Sequence, residues 1–208
     1  IPRGCDPEVF NKDELSPLWL NEWYKEYPQT KNKIILTLPT RISEWKGVDS
    51  FIDLIATLNN NDFHGLVVGP TSKSKEKYLT KLISKVSNLN IKDKITFTGS
   101  RNDIANIYKF SDIVFNLSHK PEPFGRTTIE AIGCGSKVVG WNHGGTKEIL
   151  EKLYKDGLVP LNDITQLKET VLKVSKSEYP YPDENIYTSK IMIQETLNLY
   201  HQLLSKDL

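Results

Sequence analysis

The feature of this 208-residue chain that most narrows its fold is an alternation repeated along its length: a short apolar run, a loop marked by Pro or Gly, then a segment with apolar residues three and four apart. The runs are 33–38 (KIILTL), 65–70 (GLVVGP), 95–99 (ITFTG), 113–117 (IVFNL), 138–140 (VVG) and 157–160 (GLVP). Runs without polar alternation suit strands covered on both faces. Between them, Val48, Phe51, Ile52, Ile55 and Leu58, and then Tyr78, Leu79, Leu82, Ile83 and Val86, have the spacing of one-sided helices. Further helices are expected over 15–27, 103–110, 164–174 and 187–204, the first with Trp19 and Trp23 as packing residues. Strands joined by helices form a parallel sheet, so the pattern predicts an α/β fold, a doubly wound parallel sheet with helices on both faces.

In such a sheet every loop that follows a strand emerges at one edge, and ligands bind there. Four loops, 39–47, 69–72, 99–102 and 118–127, are thereby brought to one crevice. In 118–127, Pro123 and Gly125 hold Glu122–Gly125 out of a helix that starts at Arg126, runs through TTIEAIG and ends at Gly133 and Gly135. Glu122 precedes the helix N-terminus and Glu130 lies about a turn inside it. Free N–H groups at a helix start favour an anion, and a Phe-Gly lead-in lets a ligand approach the main chain. Carboxylates on either side of an anion site are suited to hydroxyls, and hydroxyls flanking a diphosphate describe a nucleotide sugar. Solvated helix-end charges are the plain alternative. Loop 39–47 adds Arg41, with a planar fork, and Lys46, a mobile point charge. A second Gly-rich turn, HGGTKE over 143–148, is expected to be capped into a helix by Thr146.

These nine residues, EPFGRTTIE, resemble the Glu, seven residues, Glu motif of the family-4 retaining glycosyltransferases of GT-B fold. The likeness extends over the order strand, Pro/Gly loop, helix, strand, Gly-Gly turn, helix, and RISEWKG resembles the family's diphosphate-gripping Arg/Lys segment. It implies a Rossmann-like domain that is one half of a GT-B fold, the C-terminal donor-binding half. Residues 1–30 would be an interdomain linker and lead-in helix, 31–185 the donor domain and 186–208 a C-terminal helix. By the same likeness Glu122, Arg41 and Lys46 are the catalytic residues. Glu130 holds the ribose, while Phe124, Gly125, Arg126, Thr127, Thr128, Gly69 and Arg101 line the donor, with Arg101 near the nucleobase. Thr40 stands where relatives often have Gly. The implied reaction moves a sugar from a UDP- or GDP-sugar to a saccharide or glycolipid acceptor in surface polysaccharide or lipopolysaccharide assembly. A missing N-terminal domain would complete the cleft, leaving this piece nearly inactive. The rival reading is a non-catalytic nucleotide-sugar binding module.

Composition limits the other possibilities. A formal net charge of +1, from 27 basic and 26 acidic residues, does not suggest a nucleic-acid binder. The four histidines lack ligand spacing and no Asp-x-Asp occurs, so neither metal nor other cofactor is expected. Cys5 and Cys134 suggest no disulfide framework. Without an apolar run of membrane-spanning length the chain reads as cytoplasmic. Lys73, Lys75, Lys77, Lys81 and Lys85 form either a solvated face or one attracted to the inner face of a membrane.

Overall fold

The computed structural model describes residues 1–205 except Asn59, Ser177 and Tyr179. The elements run α1 (Pro17–Glu26), β1 (Ile34–Pro39), α2 (Val48–Leu58), β2 (Phe63–Val68), α3 (Glu76–Asn88), β3 (Ile95–Gly99), α4 (Ile104–Phe110), β4 (Ile113–Asn116), α5 (Arg126–Gly133), β5 (Lys137–Trp141), α6 (Gly144–Leu153), β6 (Leu158–Val159), α7 (Ile164–Val174) and α8 (Ser189–Leu204). The six strands form one parallel sheet in the order β3-β2-β1-β4-β5-β6. This is the Rossmann-like α/β architecture expected from the alternation. The order reverses direction between β1 and β4, which pair side by side through Leu36 and Thr37 with Ile113 and Val114.

Each strand is buried because helices cover both faces. α2 packs against α3 and α7, while α4 packs against α5 and α5 against α6. The apolar positions read from the sequence serve this purpose: Val48, Phe51 and Ile52 of α2 have no exposed surface, and Ile55 and Leu58 are also buried. α1 belongs to the sheet's cover. Its Trp23 closes a second cluster with Ile35, Leu66, Val68 and Ile107, and Trp19 stacks on Trp23 with ring centroids 5.1 Å apart. The lead-in segment is also tied down, since Cys5 bridges to Thr188 just before α8 and is itself buried. α8 buries none of its residues. Both cysteines are free.

Several details differ from the sequence reading for local reasons. β2 starts at Phe63 because His64 is inside the ladder, with 1% of its surface exposed. The run 157–160 yields only Leu158–Val159, since Gly157 closes a short 3-10 turn. Lys73 and Lys75 lie in a separate turn ahead of α3. Lys75 pairs with Glu44 at 2.7 Å, and Lys85 pairs with Asp49 and Asp53 at 2.9 and 2.7 Å, so the five lysines do not make one basic face. Among the described residues no helix is long and apolar enough to cross a membrane.

His64 gives the fold a pH dependence. Its Nε2 contacts Thr96 Oγ1 at 2.9 Å, whereas its Nδ1 is buried without a partner. Burial, helped by the charge of Lys33, lowers its pKa to about 4. A histidine depressed in the folded state keeps its full contribution above the unfolded value of about 6.5 and loses it as pH falls towards 4. Stability at pH 5 is therefore expected to be about 2 kcal/mol below that at pH 7.5 from this group alone. Urea unfolding of the parent and of His64→Gln at both pH values checks it. A loss on acidification that is equally large in the variant would remove His64 as the cause.

Candidate functional site

The reversal of strand order places a crevice beyond the carboxyl ends of β1 and β4. The loop leaving β1 and the loop leaving β4 are pressed together there. Gly47 has φ 76°, and a Cβ on it would lie 2.0 Å from the Leu117 carbonyl oxygen. The His119 N–H donates to the Trp45 carbonyl at 2.7 Å, joining the same two loops. The loop after β2 joins them, with the Ile42 N–H donating to Pro70 at 3.0 Å. Thr40 is accommodated because the close approach falls on its neighbour: a Cβ on Gly69 would meet the Thr40 carbonyl at 2.0 Å.

At the junction Lys46 forms an ion pair with Glu122. The two side chains are 17% and 13% exposed, and the Lys46 ammonium rests 4.2 Å from the centre of the Trp45 ring. Ser118 Oγ donates to the same carboxylate oxygen, Oε1, at 2.6 Å, and Asn116 Nδ2 approaches Oε2 at 3.3 Å. Burial pushes the Glu122 carboxyl up, but hydrogen bonds from Lys46 and Ser118, with the lysine charge, outweigh it and hold the pKa below the usual glutamate value. Glu122 is thus an anion at neutral pH. These groups, with Pro39, Thr40 and Thr127, line a cavity of about 20 Å³, the size of a single water.

α5 begins immediately beside this pair. Gly125, its N-cap, has φ 93° and ψ 57°, a left-handed conformation natural to glycine. The loop is fixed from behind by α6. The Gly145 N–H donates to the Glu122 carbonyl at 2.8 Å, and a Cβ on Gly145 would fall 2.2 Å from the Phe124 carbonyl oxygen. The Gly-Gly pair therefore admits α6 against the Glu122 loop. The N-cap of α6 is His143, whose side chain makes no capping bond to the helix, and Thr146 sits buried in the first turn. Thr146 as cap is corrected on that count: the helix starts earlier, at Gly144, with the Gly145 N–H satisfied by the Glu122 carbonyl.

Glu130, in the second turn of α5, is 8% exposed. Tyr108 donates to its Oε2 at 3.4 Å and Arg126 to its Oε1 at 3.2 Å. Burial raises its pKa, and the charge of Arg126 only partly offsets this. Glu122 and Glu130 are thus shifted in opposite directions by their surroundings.

Two expected site residues have side chains that are already engaged. The Arg101 guanidinium is held by Asp103 with two contacts of 2.9 Å and by Glu26 at 3.1 Å, and it faces the Trp23 ring. It clamps α1 to the start of α4, so its side chain is engaged within the domain. The Phe124 ring packs edge-on to Tyr187 with centroids 5.6 Å apart, leaving its main chain to the α5 approach. Arg41 is exposed, and among the described residues its side chain has no hydrogen-bond or ion-pair partner. It lines a groove of about 300 Å³ with Trp45, Thr71 and Lys75. His143 bonds the Ser118 carbonyl at 2.7 Å, and His119 bonds Asn162 at 2.7 Å. Asn116, Ser118 and Tyr108 were not singled out from sequence. Only Asn116 left a signal there, as the one polar residue within the run IVFNL. Among the described residues no three His, Cys, Asp or Glu side chains come together as a metal site.

Comparison with known proteins agrees with this architecture. N-acetyl-alpha-D-glucosaminyl L-malate synthase of Bacillus anthracis is 24% identical over 212 aligned residues, taking in 97% of this chain and 53% of that protein. Mannosylfructose-phosphate synthase of Agrobacterium fabrum is 34% identical over 122 residues, 55% of this chain and 26% of that protein. The chain spans about half the length of the curated relatives it matches from end to end. Among solved structures, a glycosyltransferase from Rickettsia africae superposes with a TM-score of 0.82 at 24% identity, over 97% of this chain and 56% of that one. Anabaena Alr3699/HepE in complex with UDP and glucose gives 0.78 at 22% identity, over 96% of this chain and 55% of that one. The fold is accordingly that of the GT-B glycosyltransferase neighbours. The family model described as glycosyl transferases group 1 matches residues 21–191, and with that much of its length inside the match this chain belongs to the glycosyl transferases group 1 family.

Proposed function

We propose that this chain is the C-terminal, donor-binding half of a retaining family-4 glycosyltransferase. It would transfer a sugar from a UDP- or GDP-sugar to a saccharide or glycolipid acceptor, in surface polysaccharide or lipopolysaccharide assembly. The observation that carries the reading is the meeting of Lys46 and Glu122 at the switch point, beside the start of α5. A diphosphate at the α5 N-terminus would draw Lys46, with Arg41, towards its oxygens, and Glu122 would then accept from sugar hydroxyls. As the bond between the anomeric carbon and the diphosphate breaks, the two cations and the helix end take up the charge of the departing group. The leaving phosphate accepts the acceptor's proton, and Glu130 holds the ribose. No metal is required in this scheme.

Neighbours solved with UDP and UDP-glucose support a uridine nucleotide over a guanosine one. A mannosyltransferase of lipopolysaccharide core biosynthesis from Rhizobium meliloti, 30% identical over 53% of this chain, supports the acceptor class. Residues 1–30 would lead from a preceding domain, 31–185 bind donor and 186–208 return towards that domain. The enzyme would act in the cytoplasm, and two of the lysines considered for membrane attraction, Lys75 and Lys85, are already paired.

Calorimetry of the 208-residue chain against UDP-glucose, GDP-mannose and the free diphosphates tests the reading. Binding with little transfer is expected, since one wall of the cleft is supplied from outside this chain. Folded protein that binds none of them would remove it. Glu130→Ala is expected to weaken UDP by about 1.5–3 kcal/mol, the range for a hydrogen bond to a charged group. Unchanged UDP affinity would take the ribose role from Glu130.

A further inference from the structure

We propose that Asn116 is a positioning residue, which sets the lone pairs of Glu122 that remain open to a sugar hydroxyl; this rests on the donor-binding reading above. A carboxylate offers about four acceptor positions. On Glu122, Oε1 takes Lys46 and Ser118, and Oε2 takes Asn116. Three donors, one from the loop after β1 and two from the end of β4, thus leave one position, on Oε2, and Asn116 decides which one it is.

Asn116 reaches the other side of the site as well. Its Nδ2 lies 3.4 Å from Thr128 Oγ1 and 3.5 Å from Thr127 Oγ1, both in the first turn of α5. Two amide hydrogens are shared among three acceptors, which explains why every contact is at the long end of the hydrogen-bond range. The amide therefore sits between the carboxylate and the helix end proposed to hold the phosphate.

The fold itself has no need of this polarity. Asn116 is the last residue of β4 and is 6% exposed, flanked by the buried Phe115 and Leu117. A buried amide is costly unless bonded, and an apolar residue of similar size would meet the packing requirement without that cost. All three side chains within reach of Nδ2 belong to the candidate site.

The test is calorimetry of the full chain with UDP and with UDP-glucose, in the parent, Asn116→Leu and Asn116→Asp. For Asn116→Leu, UDP affinity is expected to stay within about twofold while UDP-glucose affinity relative to UDP falls about tenfold. Asn116→Asp sets a second carboxylate against Glu122. It should show the same selective loss at pH 7.5 and recover most of it at pH 5, where a proton held between the two acids replaces the amide hydrogen. A Leu variant that keeps the parent ratio, or loses both ligands in equal proportion, overturns the proposal. So does an Asp variant with the same ratio at both pH values, and that readout decides alone should the Leu variant not fold. A parent chain that binds neither ligand refutes the donor-binding reading and this proposal with it. A parent that binds both, with variants that match it, refutes Asn116 only.

Discussion

Lys46→Met is expected to lower the stability of this chain by about 3 kcal/mol at pH 7.5, the low end of the range for breaking a buried pair by removing one partner. The low end applies because Lys46 and Glu122 keep 17% and 13% of their surface exposed. Removing the lysine leaves an anion held only by Ser118 and by the long contact from Asn116. For a domain of this size the melting temperature should fall by about 6–12 °C. The pH dependence has a definite sign. Glu122 is depressed in the folded state, so its stabilising contribution is present above the unfolded carboxyl value of about 4.3 and disappears as pH falls through the folded one. The penalty of Lys46→Met should therefore be full at pH 7.5 and shrink in acid as Glu122 takes up a proton. A double-mutant cycle with Glu122→Gln isolates the pair, and the double variant should recover part of the loss. A Lys46→Met melting curve that overlays the parent's would mean that this is an ordinary surface pair.

Gly47→Ala is expected to have a comparable effect by a different route, about 2–5 kcal/mol. An alanine at φ 76° carries the left-handed penalty of about 1–2 kcal/mol. Its Cβ would also lie 2.0 Å from the Leu117 carbonyl, and forcing two backbones apart in a packed region costs a further ~1–3 kcal/mol. Gly99→Ala supplies the control, since it has φ 70° with nothing within 4 Å of the added carbon. The difference between the two melting temperatures measures how tightly the β1 and β4 loops are pressed together. Equal losses in the two variants would show that conformation accounts for all of it. Gly47→Ala should also weaken UDP binding, because the residue that moves is next to Lys46.

The two effects share a cause. The site is a contact between two loops distant in sequence, and each variant works on one side of that contact. Lys46 and Glu122 are 76 positions apart, yet they form one of the most enclosed ion pairs in the structure. The four loops share an edge because every strand runs parallel, and the first two to meet are those on either side of the reversal.

The alternation of apolar runs and one-sided helices was enough, by itself, to determine the parallel sheet and the order of its elements. These follow from local spacing and from the geometry of crossover connections, both written in consecutive residues. The Gly-Gly turn was visible as glycines, but its purpose, letting α6 approach the Glu122 loop, required the packed structure. Arg101 shows the same kind of limit. A charge in a loop at the right edge looks available until the fold supplies Asp103 and Glu26 to occupy it. Asn116, Ser118 and Tyr108 became functional candidates only through what they touch. Sequence fixes which donors and acceptors the chain carries, whereas tertiary packing decides which are already engaged, because hydrogen bonds and burial depend on neighbours that no local pattern encodes.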